Sequence, residues 1–469
     1  MLDLALASFV IAFLALGLRR PFIWVLAYLY IDIVAPQKIS YFLLASIPLS
    51  LIAFTAAFGG WLVADDKADC RFTMRQGLLL LLLAYCGMTT LGADFPVEAL
   101  DKWAWVWKAL LFAIFLPLTL RTRLRLEAVA LTMALSAGSI VITGAIKTLA
   151  SGGGYGTLHF FVNDNTGLYE GSIISCVAIS LIPIIMWLAK HGTIFPANLP
   201  SGLPRPWMVK LFAAALCFSC LLIPIGTQAR TGLMCIGLLG VLSLRSVKNR
   251  ILYIALAALA LLVAVPFLPD TYTNRMNTIE NHESDQSAST RIAVWKWTIG
   301  YVKEHPLGGG FEAYRSNRLT FETKAATTEG NTTSVETNLM TDEGRAYHSS
   351  YFEMLGEQGY PGLALWLVIQ VTGLWQMERV RSRWRKKAAA PGSGPEQQWQ
   401  APLANALQQA QLVYLLGSFF IGIAYQPFIL MLIGLQCGLF SYLKRTESAE
   451  SAPVRPSRAM KLPGAVPTL

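Results

Sequence analysis

Charge is what this chain has least of. Charged residues make up 14% of its 469 positions, against about a quarter in a soluble domain, so most of the chain is excluded from facing water. Hydrophobic residues reach 54% and the mean hydropathy is +0.48. Long polar stretches are equally scarce. The interval Pro269–Ser349 is the one long hydrophilic segment, and it holds three of the five histidines. It has no cysteine, so an extracytoplasmic structure there would be built without disulfides. Cys217 and Cys220 form a C-x-x-C inside an apolar run, where small residues serve helix packing before redox chemistry.

The common catalytic signatures are missing too. There is no Walker loop, H-E-x-x-H, G-x-S-x-G or ligand cluster at zinc spacing. The apolar runs carry no series of ionisable residues of the kind an ion pathway needs. The net charge of +10 is not a polyanion site, because 25 of the 38 lysines and arginines fall in alternate connections between apolar runs. Five lie in short loops on the other side, which is a topology signal of the positive-inside kind.

What remains is a succession of apolar runs. About thirteen are long enough to read as helices: 2–18, 21–34, 41–63, 77–93, 104–120, 126–146, 168–189, 210–226, 231–244, 251–268, 355–376, 410–425 and 427–443. The count is twelve if the first two form a partly crossing hairpin. Backbone groups in lipid must pair internally, so the expected fold class is all-α, a polytopic transmembrane bundle. The first run lacks a basic leader and a small-residue cleavage site and reads as a retained helix. The predicted organisation is N-terminal helices over 1–149, further helices over 150–268, a periplasmic loop domain with short helices over 269–349, and C-terminal helices over 350–445. The segment 378–405 reads as a basic cytoplasmic linker near anionic lipid headgroups, and 446–469 as a disordered cytoplasmic tail. This charge pattern predicts a multi-pass membrane protein with its C-terminus in the cytoplasm and 269–349 outside.

Chemistry is therefore expected on the outer face. Arg230 is a lone arginine in the turn Gly226–Gly232, where a snorkelling anchor is the competing reading. Arg291 opens the amphipathic stretch Ser289–Trp297, with Ser289 or Thr290 as its predicted cap. The turn His305–Phe311 carries three glycines, which let backbone approach something closely. His348 precedes a re-entering helix that Ser349 or Ser350 would cap, a position that favours a neutral imidazole able to act as a base. Asn163 and Asp164 lie in a glycine-rich outer loop, and Asp342, Glu343 and Tyr351 flank His348 in the chain. All five are accessory candidates, weighed against a flexible turn and solvated loop carboxylates.

The order of a turn arginine, T-R-x-x-x-W, P-L-G-x-G, His-x-x-Tyr and E-x-G-x-P-G resembles the O-antigen ligase and polymerase superfamily, over about residues 150–445. The N-terminal half is similar to the branch of O-glycosylation ligases associated with the exosortase A system. The resemblance implies transfer of a glycan from a polyprenyl diphosphate carrier to a hydroxyl of a lipid, polysaccharide or protein, with membrane lipids around it and no nucleic acid, metal or cofactor. It implies that Arg230 and Arg291 hold the diphosphate and that His348 takes the acceptor's proton. Ser349 stands where many members have Asn, and Gln228-Ala229 where a Ser is common. A polymerase of carrier-linked repeats would differ in its product. A lipid-linked glycan flippase would need a polar through-pathway and would move substrate without covalent change.

Overall fold

The computed structural model describes residues 2–67, 70, 72–151, 167–195, 204–245, 249–252, 255, 286–329 and 332–450. The fold is all-α apart from one hairpin. Its N-terminal helices are α1 Leu2–Arg19, α2 Phe22–Val34, α3 Pro36–Ile39, α4 Leu49–Ala64, α5 Met74–Leu91, α6 Pro96–Thr119 and α7 Arg123–Ala150. Then come α8 Gly171–His191, α9 Pro206–Gly226, α10 Arg230–Leu244 and α11 Gln286–Glu304. The strands are β1 Arg318–Glu329 and β2 Thr332–Glu343, followed by α12 Ser350–Ala388, α13 Gln400–Gly417 and α14 Pro427–Glu450. Among the described residues, five helices are long and apolar enough to cross a membrane: α5, α7, α8, α9 and α14. Three shorter apolar helices, α2, α4 and α10, join them.

α8 is apolar nearly all round, and such a helix belongs in the interior of a bundle. It packs against α7, α9, α10 and α13. Around this centre, α6 packs on α5 and α14, and α12 on α5 and α13. A second, small core of Val294, Leu319 and Tyr347 lies beneath the loop segment, with Trp295, Trp297, Tyr314 and Phe352 against it.

Several sequence expectations need correction. The run 41–63 becomes helical only at Leu49, because the backbone N–H groups of Tyr41, Phe42 and Leu43 go to the Asp3 carboxylate instead. The run 410–425 is displaced: α13 starts at Gln400 and stops at Gly417. Segment 378–405 is largely helical, not a solvated linker. Its Arg and Lys residues are good helix formers, and Glu378 accepts from Arg381 one turn on at 2.7 and 3.0 Å. Residues 446–450, expected in a disordered tail, belong to α14, where Glu447 pairs with Arg383 and Lys387 at 2.9 and 3.0 Å; 451–469 lie outside the described residues. The loop segment also contains a strand pair, β1 and β2, antiparallel with Glu329 opposite Thr332, where only short helices were expected.

The two glycine motifs prove to be halves of one device. α12 breaks at Gly359 (φ 62°, ψ −166°), and Pro361 has no N–H to return to the carbonyl of Glu357 four residues earlier. Gly310 N–H supplies that bond at 2.9 Å, and Gly309 N–H takes the Gly356 carbonyl at 3.1 Å. Tyr360 N–H, in return, donates to Pro306 O at 3.0 Å. What the glycine turn approaches so closely is therefore the α12 backbone. A Cβ on Gly308 would lie 2.4 Å from Glu357 O.

Candidate active site

The C-terminal end of α2 and the N-terminal ends of α6, α8, α12 and α14 enclose a cleft of about 760 Å³, within the size range of small-molecule sites. α11 contributes its Arg291 to the lining, and the loop before α12 contributes His348.

Their proximity follows from the spacing in T-R-x-x-x-W. Residues four apart share one face of a helix, so Arg291 and Trp295 project together from α11. Trp295 stacks on Phe352 with ring centres 4.8 Å apart and donates its indole N–H to Tyr347 O at 2.9 Å. That bond fixes the residue immediately before His348. α11 runs from Gln286, so Ser289 and Thr290 lie inside it and are not its cap. Ser349 occupies the N-cap position of α12 without a capping side-chain bond. Ser350 instead ties α12 to the loop before α14, donating to Ile421 O at 2.9 Å and accepting from Ile423 N–H at 2.8 Å.

Backbone strain is concentrated here. Four non-glycine residues among those described have positive φ: Ala35, Gln228, Glu312 and His348. Three of them, Ala35, Glu312 and His348, line the cleft, and such conformations persist only where surrounding structure enforces them. For His348 the enforcement is visible. Asn317 grips Arg345 through both ends of its amide, Oδ1 to the backbone N–H at 2.9 Å and Nδ2 to the carbonyl at 2.7 Å.

The His348 ring is reachable from the cleft, but the protein around it removes enough water to lower its pKa from the ordinary histidine value. The positive charges of Arg291 and Arg345 act in the same direction. The ring is thus neutral at pH 7, with a lone pair able to take a proton.

The other predicted residues fall differently. Arg230 begins α10, half-buried, and is not among the residues lining the cleft. Its turn packs on the first turns of α8: Thr227 and Ser175 share a hydrogen bond of 2.8 Å, and a Cβ on Gly171 would meet Thr227 at 3.1 Å. Glu170, the cap of α8 through a 2.7 Å bond from Ile173 N–H, does line the cleft. Asp342 pairs with Arg345, and Glu343 with Arg318 at 3.1 Å. Tyr351 donates to Leu415 O at 3.2 Å and packs its ring on Trp366 and Phe419. Asn163 and Asp164 lie outside the described residues.

The sequence reading missed a charge cluster lining the cleft. Lys102 of α6 lies 2.8 Å from both Glu353 and Glu357 of α12 and 4.0 Å from Glu312. Glu312 N–H donates to Glu357 at 3.1 Å, and Ala424 N–H to Glu353 at 3.1 Å. Buried ionisable groups therefore do occur in the helices, with Lys102 and Glu353 just outside the apolar runs 104–120 and 355–376. Glu353 and Glu357, four apart in the sequence, were the available signal.

Residues 212–367 match the family described as O-antigen ligase. Residues 1–193 match a family of unknown function, DUF5935. No curated protein matches the chain. The first match takes in Arg230, Arg291 and His348 and supports a likeness to the O-antigen ligase superfamily and, at the coarse level, a ligase or glycosyl-transfer activity in a multi-pass membrane setting.

Proposed function

We propose that this protein transfers a glycan from a polyprenyl diphosphate carrier to an acceptor hydroxyl at the periplasmic face of the bacterial inner membrane. The observation that carries the reading is that Arg291 and His348, 57 positions apart, line one cleft and are joined through Trp295.

In the proposed step the acceptor oxygen attacks the anomeric carbon as His348 takes its proton. The bond from that carbon to the diphosphate breaks, and the electron pair leaves with the carrier diphosphate. Attack opposite the leaving group inverts the anomeric centre. A guanidinium holds the departing charge bidentately and never loses its proton. Arg291 has this role in the reading. Arg230 joins it only by shifting from its present turn toward the cleft, so its contribution is expected to be the smaller. The subgroup association with exosortase A belongs to the same proposal and rests on the N-terminal half.

The test uses purified protein, a polyprenyl-diphosphate glycan and a panel of lipid, polysaccharide and protein acceptors. His348→Ala is expected to lower turnover about 10²–10⁴-fold, the range for loss of a general base, while donor binding persists. Transfer at the parental rate would remove His348 from the mechanism. Longer carrier-linked chains without another acceptor would identify a polymerase instead.

A further inference from the structure

The C-terminal half supplies Arg291 and His348 to the cleft. Much of the remaining lining belongs to residues 1–193, the part matched only by a family of unknown function. It includes α6, where Asp101, Lys102, Trp105 and Lys108 all line the cleft. Their spacing of one, three and three residues keeps them along one stripe of the helix.

These four residues are not alike. Lys102 is held by the carboxylates of α12. Asp101 and Lys108 form no hydrogen bond or ion pair among the described residues. Trp105 is 41% exposed, whereas Tyr425 and Phe428, also lining the cleft, are each 1% exposed. An indole beside lipid would be an ordinary interfacial anchor. This one faces the cleft, with the Asp101 carboxylate one turn before it and, three residues after, the Lys108 ammonium, which also feels the charge of Asp32.

That combination is suited to a sugar ring. The C–H face of a pyranose is apolar and lies flat on an indole, while its equatorial hydroxyls point outward to planar acceptors and to ammonium donors. A large aromatic with few rotatable bonds gives such contact at small entropic cost. We propose that Trp105, with Asp101 and Lys108, forms a saccharide-binding subsite, and that the N-terminal half of the chain serves the reaction by gripping sugar in the cleft that Arg291 and His348 line. The inference deepens the glycosyl-transfer reading and rests on it for the source of the sugar, which is either the donor glycan or a sugar of the acceptor.

The probe is the free oligosaccharide cleaved from the carrier, with neither lipid nor diphosphate, added to the full chain in nanodiscs and followed by ligand-observed NMR. The parent chain and His348→Ala are expected to bind it equally. Trp105→Ala should weaken binding about tenfold and Trp105→Phe no more than about threefold, as loss and partial retention of an aromatic contact imply. Asp101→Asn, with its aromatic intact, should fall between them. Absence of binding by the parent chain, or equal binding by Trp105→Ala, overturns the subsite. In turnover, a raised KM for the carrier-linked donor places the donor glycan there, and a raised KM for the acceptor places the acceptor sugar; in either case kcat is largely kept. Unchanged KM for both overturns the proposal. Binding of the free sugar needs no catalysis, so a chain that transfers nothing yet loses the sugar on Trp105→Ala refutes the ligase reading and leaves the subsite standing.

Discussion

Two buried cations in this protein are treated in opposite ways. Lys102, which lines the cleft, is surrounded by the carboxylates of Glu353, Glu357 and Glu312. Arg75, at the opposite end of the bundle by chain direction, is fully buried and donates to neutral partners, Ile369 O at 3.0 Å and Gln436 Oε1 at 2.7 Å. Gln436 passes the pattern on to Gln411 at 3.0 Å, and Gln411 to Gln370 at 2.7 Å. The Arg75 guanidinium fills the space left by Gly373, whose added Cβ would lie 2.0 Å from it. This amide seam joins α5, α12, α13 and α14. The acid-rich cluster borders open space. Placement next to the cleft, not burial of charge as such, separates a group available to substrate from one that holds helices together.

The sharpest way to break that contrast is Lys102→Met. Removing one partner from a buried ionic group costs about 3–5 kcal/mol, and here it leaves three carboxylates facing one another. A large fall in thermal midpoint in detergent, together with loss of transfer, is expected. Retention of both would show that the cluster contributes little. Gly359→Ala comes next. Its φ of 62° disfavours a side chain, and the new Cβ would lie 2.2 Å from Pro306 O, so strain of about 1–3 kcal/mol should appear in the same melting assay, with activity reduced beyond the loss of folded protein. Arg75→Met should be milder. It leaves two acceptors unsatisfied at about 1–3 kcal/mol for such a loss, and turnover per folded molecule should stay at the parental level. A turnover defect there would erase the distinction between seam and cleft.

The smallest expected effect is a shift in pH dependence. His348 acts as a base only when neutral, so the rate should fall as pH drops through its lowered pKa. Arg345→Gln removes a positive charge that opposes protonation and frees the Asp342 carboxylate, which favours it. Both changes raise the pKa, and the acid limb of the pH–rate profile should move to higher pH. A limb that stays in place would mean that His348 does not govern it.

How much of this could be read from the chain depends on the range of the interactions. Arg291 was legible because the motif spacing of four is a local property of a helix, and His348 because it stands at a helix entrance. The two glycine motifs were legible singly. Their mutual hydrogen bonds were not, since about fifty residues separate donor from acceptor. Lys102 escaped for a related reason. The apolar run was drawn from 104 and left Lys102 outside it, whereas α6 begins at Pro96 and brings Lys102 to acids some 250 residues away. The hairpin was passed over as polar loop, although its Thr-rich arms flank Gly330-Asn331, a sequence suited to a two-residue connection. Arg230 shows the converse: its turn was recognised, but sequence alone gave no distance from that turn to the cleft.

The exchange of bonds between the Pro306–Gly310 turn and the break in α12 has a mechanical consequence. The opening turns of that helix are latched to the outer loop at three points, so a push on the loop is felt by Glu353 and Glu357 before it reaches the remainder of the helix. Glu312, two residues beyond the latch, is carried along with them. A displacement of the loop would therefore displace these acids with it.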